Sequence, residues 1–265
     1  MNDVVIPRED GGRIVARVYT PLFPAAPLAT LVWFHGGGWV AGDLEGFDRV
    51  ARQLANASGA LCVSVDYRLA PEHPFPAALE DAQAAIVWAC GGGAEQLGTE
   101  LERVVVGGDS AGGHLASLAV QHARGRVRAQ LYVYPALDAT CGSEAYRTYA
   151  NGPMLTRADM QACWAAYLGS EPGDEPDPGP VSGVAVSPLA GDLAGLPPAF
   201  FAIAEHDPLR DDGLAYAEAL RAAGVDVETV HYETMTHGFL RWGGIVEQAH
   251  EAIAWLGQAV RASLA

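Results

Sequence analysis

The chain contains no lysine: all 16 of its basic residues are arginine, set against 32 acidic residues for a formal net charge of −16. So little positive charge excludes the phosphate-neutralising surface on which nucleic-acid binding rests, and it opposes adsorption to an anionic membrane. Long apolar runs are missing too. Nothing approaches the ~20 residues needed to cross a bilayer, and no charged-then-apolar leader opens the sequence, so a soluble, cytoplasmic protein is expected. Cysteine is scarce. Cys62, Cys90, Cys141 and Cys163 lack metal-ligand spacing, so no metal is expected, and free thiols fit a reducing compartment. Repeats and long linkers are absent, and strand and helix patterns alternate over residues 1–265, which reads as one α/β domain.

Glycine, by contrast, is plentiful at 31 residues, and two clusters of it follow apolar strands. The first is Val104-Val105-Val106-Gly107-Gly108-Asp109-Ser110-Ala111-Gly112-Gly113-His114, which leads into Leu115-Ala116-Ser117-Leu118. It reads as strand, sharp turn and helix with Ser110 at the apex, where residues two before and two after the serine crowd the turn and must be glycine. The serine hydroxyl is held clear of the backbone at a helix N-terminus, which favours a developing negative charge. Rival glycine-loop readings fail. A P-loop needs Lys-Ser/Thr where Gly113-His114 stands, and a dinucleotide fingerprint needs glycine where Asp109 stands.

The second cluster is His35-Gly36-Gly37-Gly38-Trp39, after the strand Leu31-Val32-Trp33-Phe34. Consecutive glycine amides let the backbone approach a substrate closely, and acyl transfer needs N–H donors aimed at a carbonyl oxygen as it becomes negative. Gly37, Gly38 and Ala111 are the expected donors. His35 lies on the oxyanion side at a strand end and is read as fixing the glycine loop rather than as a base.

With Asp66-Tyr67-Arg68-Leu69-Ala70-Pro71-Glu72-His73-Pro74-Phe75-Pro76-Ala77-Ala78, Asp207-Pro208-Leu209-Arg210-Asp211 and His237-Gly238-Phe239, these segments stand in one order from about residue 30 to 240. In them the chain resembles the hormone-sensitive-lipase-like esterases of the α/β-hydrolase superfamily, the bacterial family IV carboxylesterases. The resemblance implies an α/β-hydrolase fold: a mostly parallel central sheet with helices on both faces and a small inserted helical cap. It also implies a Ser, Asp, His order for the catalytic triad. His237, in a loop after the strand-like Val225–Tyr232 with Gly238 beside it, is the expected base, while His231 and His250 read as structural or surface residues. Asp207 emerges after the buried strand Pro198–Ala204 and is the expected acid. Asp138, after Gln130–Tyr134 and Pro135, is its competitor from an earlier strand. Asp109 is expected to cap or to form an ion pair, Glu205 to be structural, and Asp66, Arg68 and Glu72 to brace a proline-rich loop.

An edge hairpin is expected from Asp3–Ile6 and Arg13–Val18, with parallel strands starting near Leu31, Leu61, Val104, Leu131, Ala199 and Val227. Crossover helices are expected near residues 46–57, 76–90, 111–124, 211–223 and 244–264. The connection 139–190 is too long for an ordinary loop. Thr156-Arg157-Ala158-Asp159 looks like a capping box opening a helix with Met160, Cys163, Trp164, Tyr167 and Leu168 on one face. In the family this insertion caps the acyl pocket, which makes Trp39, Trp164, Leu209 and Phe239 candidate lining residues. Glu171–Pro180 reads as a solvated loop. Relatives commonly carry a helical N-terminal extension, whereas here the hairpin begins near Met1, so a more open pocket is expected.

These readings converge on a serine carboxylesterase that needs no cofactor and acts on small esters of short- to medium-chain acids, with homodimerisation left open. An amidase or arylformamidase with the same triad is the alternative. A non-catalytic small-molecule receptor of this fold is disfavoured by the presence of His237.

Overall fold

The computed structural model describes residues 1–170 and 186–265. Its strands are β1 (Asn2–Pro7), β2 (Arg13–Tyr19), β3 (Thr30–Phe34), β4 (Leu61–Asp66), β5 (Val104–Asp109), β6 (Ala129–Val133), β7 (Ala199–His206) and β8 (Val227–Thr236). The helices are α1 (Asp48–Ser58), α2 (Ala77–Ala89), α3 (Gly92–Leu97), α4 (Ala111–His122), α5 (Glu144–Thr148), α6 (Arg157–Leu168), α7 (Arg210–Ala222) and α8 (Glu247–Ser263). The central strands β3, β5 and β6 are buried along their whole length, and their β-branched and aromatic side chains face helices on both sides.

The strands form one sheet in the order β1-β2-β4-β3-β5-β6-β7-β8. The N-terminal hairpin joins it antiparallel, Val15 opposite Asp66, while β4, β3, β5, β6, β7 and β8 run parallel. Two apolar layers result. One packs α2, α4, α6 and α7 against the sheet, and the other packs α1 and α8. Helix α1 shows how pattern becomes packing: Val50, Ala51, Leu54 and Ala55 recur on one face and are buried, and Gly59 at φ +72° ends the helix in a left-handed cap.

Between β6 and β7 the chain leaves the sheet for the long insertion that carries α5 and α6. The capping box forms as the sequence indicates: Thr156 Oγ1 accepts from the Asp159 amide at 3.0 Å, and the Asp159 carboxylate accepts from the Thr156 amide at 2.9 Å. Met160, Trp164 and Tyr167 on α6 are buried. The Glu171–Pro180 stretch lies outside the described residues. Among the described residues, no helix is long and apolar enough to cross a membrane. Because β3, β5, β6, β7 and β8 are mutually parallel, their carboxyl ends share one edge of the sheet, and residues 35–39, 110, 134–138, 207 and 237 all follow those ends.

Candidate active site

Ser110 sits between β5 and α4 at φ +55°, ψ −121°, left-handed backbone that a non-glycine residue adopts only when its surroundings impose it. The surroundings are glycines in close contact. A Cβ on Gly108 would collide with the backbone of Gly112, and one on Gly112 would collide with the carbonyl oxygen of Phe34 at the end of β3. The turn is pinned from both sides, with the Ser110 amide donating to Val133 O at 2.9 Å and its carbonyl accepting from Ala136 N at 3.2 Å.

The structure brings Ser110, His237 and Asp207 together. Ser110 Oγ lies 3.0 Å from His237 Nε2, and His237 Nδ1 lies 2.7 Å from Asp207 Oδ2. An ionised carboxylate only accepts, so Nδ1 carries the proton, and Nε2 presents its lone pair to the serine hydroxyl. Asp207 is fully buried, and its other oxygen accepts the Leu209 amide at 2.8 Å as the chain turns into α7. The ring of Tyr134 packs against the imidazole at 4.7 Å between centroids.

Beside the serine, Gly37 at φ +126° and Gly38 at φ +61° turn the chain away from β3. Among the described residues, no acceptor satisfies the amides of Gly37, Gly38 or Ala111, and Gly36 at the start of the loop packs directly against Ser110. The loop is held at its root. His35 stacks between Phe47 (5.0 Å) and Tyr67 (4.4 Å), donates Nδ1–H to Gly36 O at 2.7 Å, and is kept neutral by burial, which lowers its pKa.

Asp109 corrects one expectation, since it neither caps α4 nor forms an ion pair. Its Oδ1 accepts the Trp33 indole N–H at 3.3 Å and the Gly36 amide at 3.1 Å, lacing the nucleophile strand to the glycine loop. Burial pushes this carboxyl up to about 6. Arg68 is a second correction. It pairs with Asp81 at 2.9 Å and Glu80 at 3.1 Å on α2, not with Asp66 or Glu72, because α2 starts directly after the loop and turns Glu80 of its first turn, and Asp81 beside it, back onto it.

Asp138 accepts from its own neighbour Thr140, through the amide at 2.9 Å and the hydroxyl at 2.7 Å, rather than from His237. Glu205 accepts from Tyr149 and Arg210 and faces His231 at 2.8 Å. Trp39, Trp164, Leu209 and Phe239 have essentially no accessible surface, so in this conformation they back the site rather than line it.

Two residues that sequence reasoning passed over support the site. Asp212, buried on α7, accepts the Leu137 and Asp138 amides at 3.0 Å each, tying the root of the insertion to the helix that follows Asp207. His114, one turn along α4 from Ser110, is buried among Trp39, Trp164 and Tyr167. The doubled acid in Asp211-Asp212 was the available signal for the first; nothing local marked the second.

Ser110, His237 and the buried Asp207 are arranged as a nucleophile, a base and an orienting carboxylate would be, with unpaired amides in the neighbouring loops, the requirements of acyl transfer. Comparison with known proteins gives the same direction. The sequence model of a family described as alpha/beta hydrolase fold matches residues 31–241. The carboxylesterase NlhH of Mycobacterium tuberculosis is 43% identical over 243 residues, spanning 90% of this chain and 75% of that protein. The ethyl acetate hydrolase of Pseudomonas putida is 36% identical over 272 residues, 100% of this chain and 83% of that one. Among solved structures, a hyperthermophilic esterase from the archaeon Pyrobaculum calidifontis superposes with TM-score 0.88 at 39% identity, covering 100% of this chain and 86% of the other.

Proposed function

The chain belongs to the alpha/beta hydrolase fold family and is a serine carboxylesterase, and on that premise we propose that Ser110, His237 and Asp207 form its triad and that it prefers short to medium acyl chains. Ser110 Oγ attacks the ester carbonyl as His237 Nε2 takes its proton; Asp207 holds the imidazole tautomer and stabilises the imidazolium; the amides of Gly37, Gly38 and Ala111 receive the oxyanion. The imidazolium then protonates the departing alcohol, and water, activated by the same base, releases the acid from Ser110. The observation that carries the assignment is the continuous line Ser110 Oγ, His237, Asp207 at 3.0 and 2.7 Å.

The acyl preference rests on the insertion, residues 139–190, acting as a small cap within one domain. Its helix α6 packs against the glycine loop, with Cys163 Sγ occupying the space that a side chain on Gly38 would need. A buried methylene contributes ~0.8 kcal/mol only where a wall excludes water, so the gain per carbon stops when the chain leaves the pocket. The relative named ethyl acetate hydrolase supports a short acyl group.

The test is a fluorophosphonate label together with an acyl-length series of chromogenic esters. Labelling of Ser110, and a rate optimum at about two to eight carbons, is the expected result. Labelling of another serine overturns the triad. Activity that climbs above the solubility limit of long-chain esters overturns the acyl preference.

A further inference from the structure

Trp39 directly follows the two glycines assigned as oxyanion donors, and its backbone lies at φ +61°. A bulky residue in left-handed backbone is strained and persists only where neighbours over-determine it. Those neighbours are two residues of the insertion and one of the nucleophile helix. The Trp39 ring stacks on Tyr167 at 4.5 Å and 10° between planes, and it meets Trp164 at 4.2 Å. His114 stands edge-on to all three rings, at 5.2 Å from Trp39, 5.2 Å from Trp164 and 5.7 Å from Tyr167, with interplanar angles of 86–89°. All four side chains are fully buried.

The cluster is fastened at its far side as well. A carbonyl can only accept, so His114 donates Nε2–H to Val186 O, 2.8 Å away, where the chain returns from the insertion. Burial keeps this imidazole neutral, its pKa lowered to about 4. Among the described residues the Tyr167 hydroxyl has no hydrogen-bond partner, so what Tyr167 supplies is its ring.

We propose that Tyr167, Trp164 and His114 are positioning residues that hold Trp39 in its left-handed conformation and so fix the Gly37 and Gly38 amides for the reaction. The insertion then builds part of the oxyanion hole instead of only roofing the acyl pocket. This inference rests on the assignment of Gly37 and Gly38 as donors.

The experiment compares Tyr167→Leu, Tyr167→Phe and Tyr167→Leu combined with Trp39→Gly, each with a short chromogenic ester and with a trifluoromethyl ketone that forms a tetrahedral adduct at the serine. Tyr167→Leu is expected to lower kcat by about 10- to 100-fold with KM within about twofold, and to weaken the ketone by the same factor. Tyr167→Phe keeps the stacked ring and restores both. Trp39→Gly recovers part of kcat in the leucine background, because glycine adopts φ +61° without a clasp. Unchanged kcat with an altered KM or acyl preference in Tyr167→Leu overturns the proposal, as does a loss of kcat that Tyr167→Phe shares. Where Tyr167→Leu fails to fold, Trp164→Leu carries the same expectation. Ser110→Ala and Gly38→Ala run alongside: full activity in these refutes the oxyanion and nucleophile assignments themselves, whereas their inactivity beside an active Tyr167→Leu refutes the clasp alone.

Discussion

The two ends of the sheet differ in the groups they gather. Near the amino ends of β5 and β6 lies a cleft of about 570 Å³, lined by Cys90, Leu101, Glu102 and Gly125–Arg128. Its charges are already spoken for or dispersed: Arg128 faces Glu102 at 3.7 Å, and burial pushes the Cys90 thiol up to about 11. At the carboxyl end, Ser110, His237 and Asp207, the proposed nucleophile, base and acid, lie within two hydrogen bonds of one another. The strain is there too. Among the described residues, three of the five non-glycine residues with left-handed φ, namely Trp39, Ser110 and Tyr134, lie within five residues of the carboxyl ends of β3, β5 and β6; the other two, Cys141 and Met154, lie in the insertion. A site is marked by backbone forced into rare conformations around convergent groups, not by room.

The sharpest way to break this contrast is Ser110→Ala, which removes the nucleophile and should reduce kcat by on the order of 10⁴–10⁶ with the melting temperature nearly unchanged. Turnover within tenfold of the parent would place the chemistry elsewhere. Next in size is the acid. Asp207→Asn should lower kcat by about 10²–10⁴ through loss of the tautomer-fixing partner, while Asp138→Asn, whose carboxylate serves only Thr140, should stay within about threefold. The reverse ranking in steady-state kinetics would move the acid to the earlier strand.

A smaller effect sharpens the comparison through pH. The Asp109 carboxyl titrates near 6 when folded, above its ordinary 3.8, so the folded state holds its proton more tightly. Stability from this group is therefore present at low pH and lost as pH rises through the window of about 4 to 6, by up to about 3 kcal/mol. Asp109→Asn keeps an oxygen acceptor for Trp33 and Gly36 without the charge. Denaturant melts should find the variant more stable than the parent above pH 6, with the two converging below pH 4; a constant difference across that range would contradict the buried, proton-linked carboxyl. Smallest of all, Arg126→Ala in the opposite cleft should leave kcat/KM within about twofold.

Much of the site was legible because its constraints are local. Gly108 and Gly112 are needed by the turn that Ser110 itself makes, and the glycine loop follows a strand whose apolar run is plain. Thr156 and Asp159 lie three residues apart, and so does the box they form. What escaped depends on distant chain. Asp109 meets Gly36 across 73 residues and Trp33 across 76, and no spacing announces such a partner. Arg68 finds Asp81 only because α2 folds back over its loop. Helices α3 and α5, of six and five residues, are shorter than the window over which helical periodicity can be read. The sequence marked Trp39 and Trp164 as apolar and near the pocket, but whether such a ring lines a cavity or closes one is decided by its neighbours, here Tyr167 and His114.

The contact between Gly112 and Phe34 joins backbone to backbone, with no side chain taking part. In chimeras made by exchanging segments with a related esterase, this contact should therefore survive the exchange: any parent bringing glycine to the elbow will dock on the backbone of any parent's β3. The Trp39 and Tyr167 rings, and Cys163 against Gly38, obey the opposite rule. There the fit is written in side chains, so the glycine loop and α6 must be inherited from the same parent.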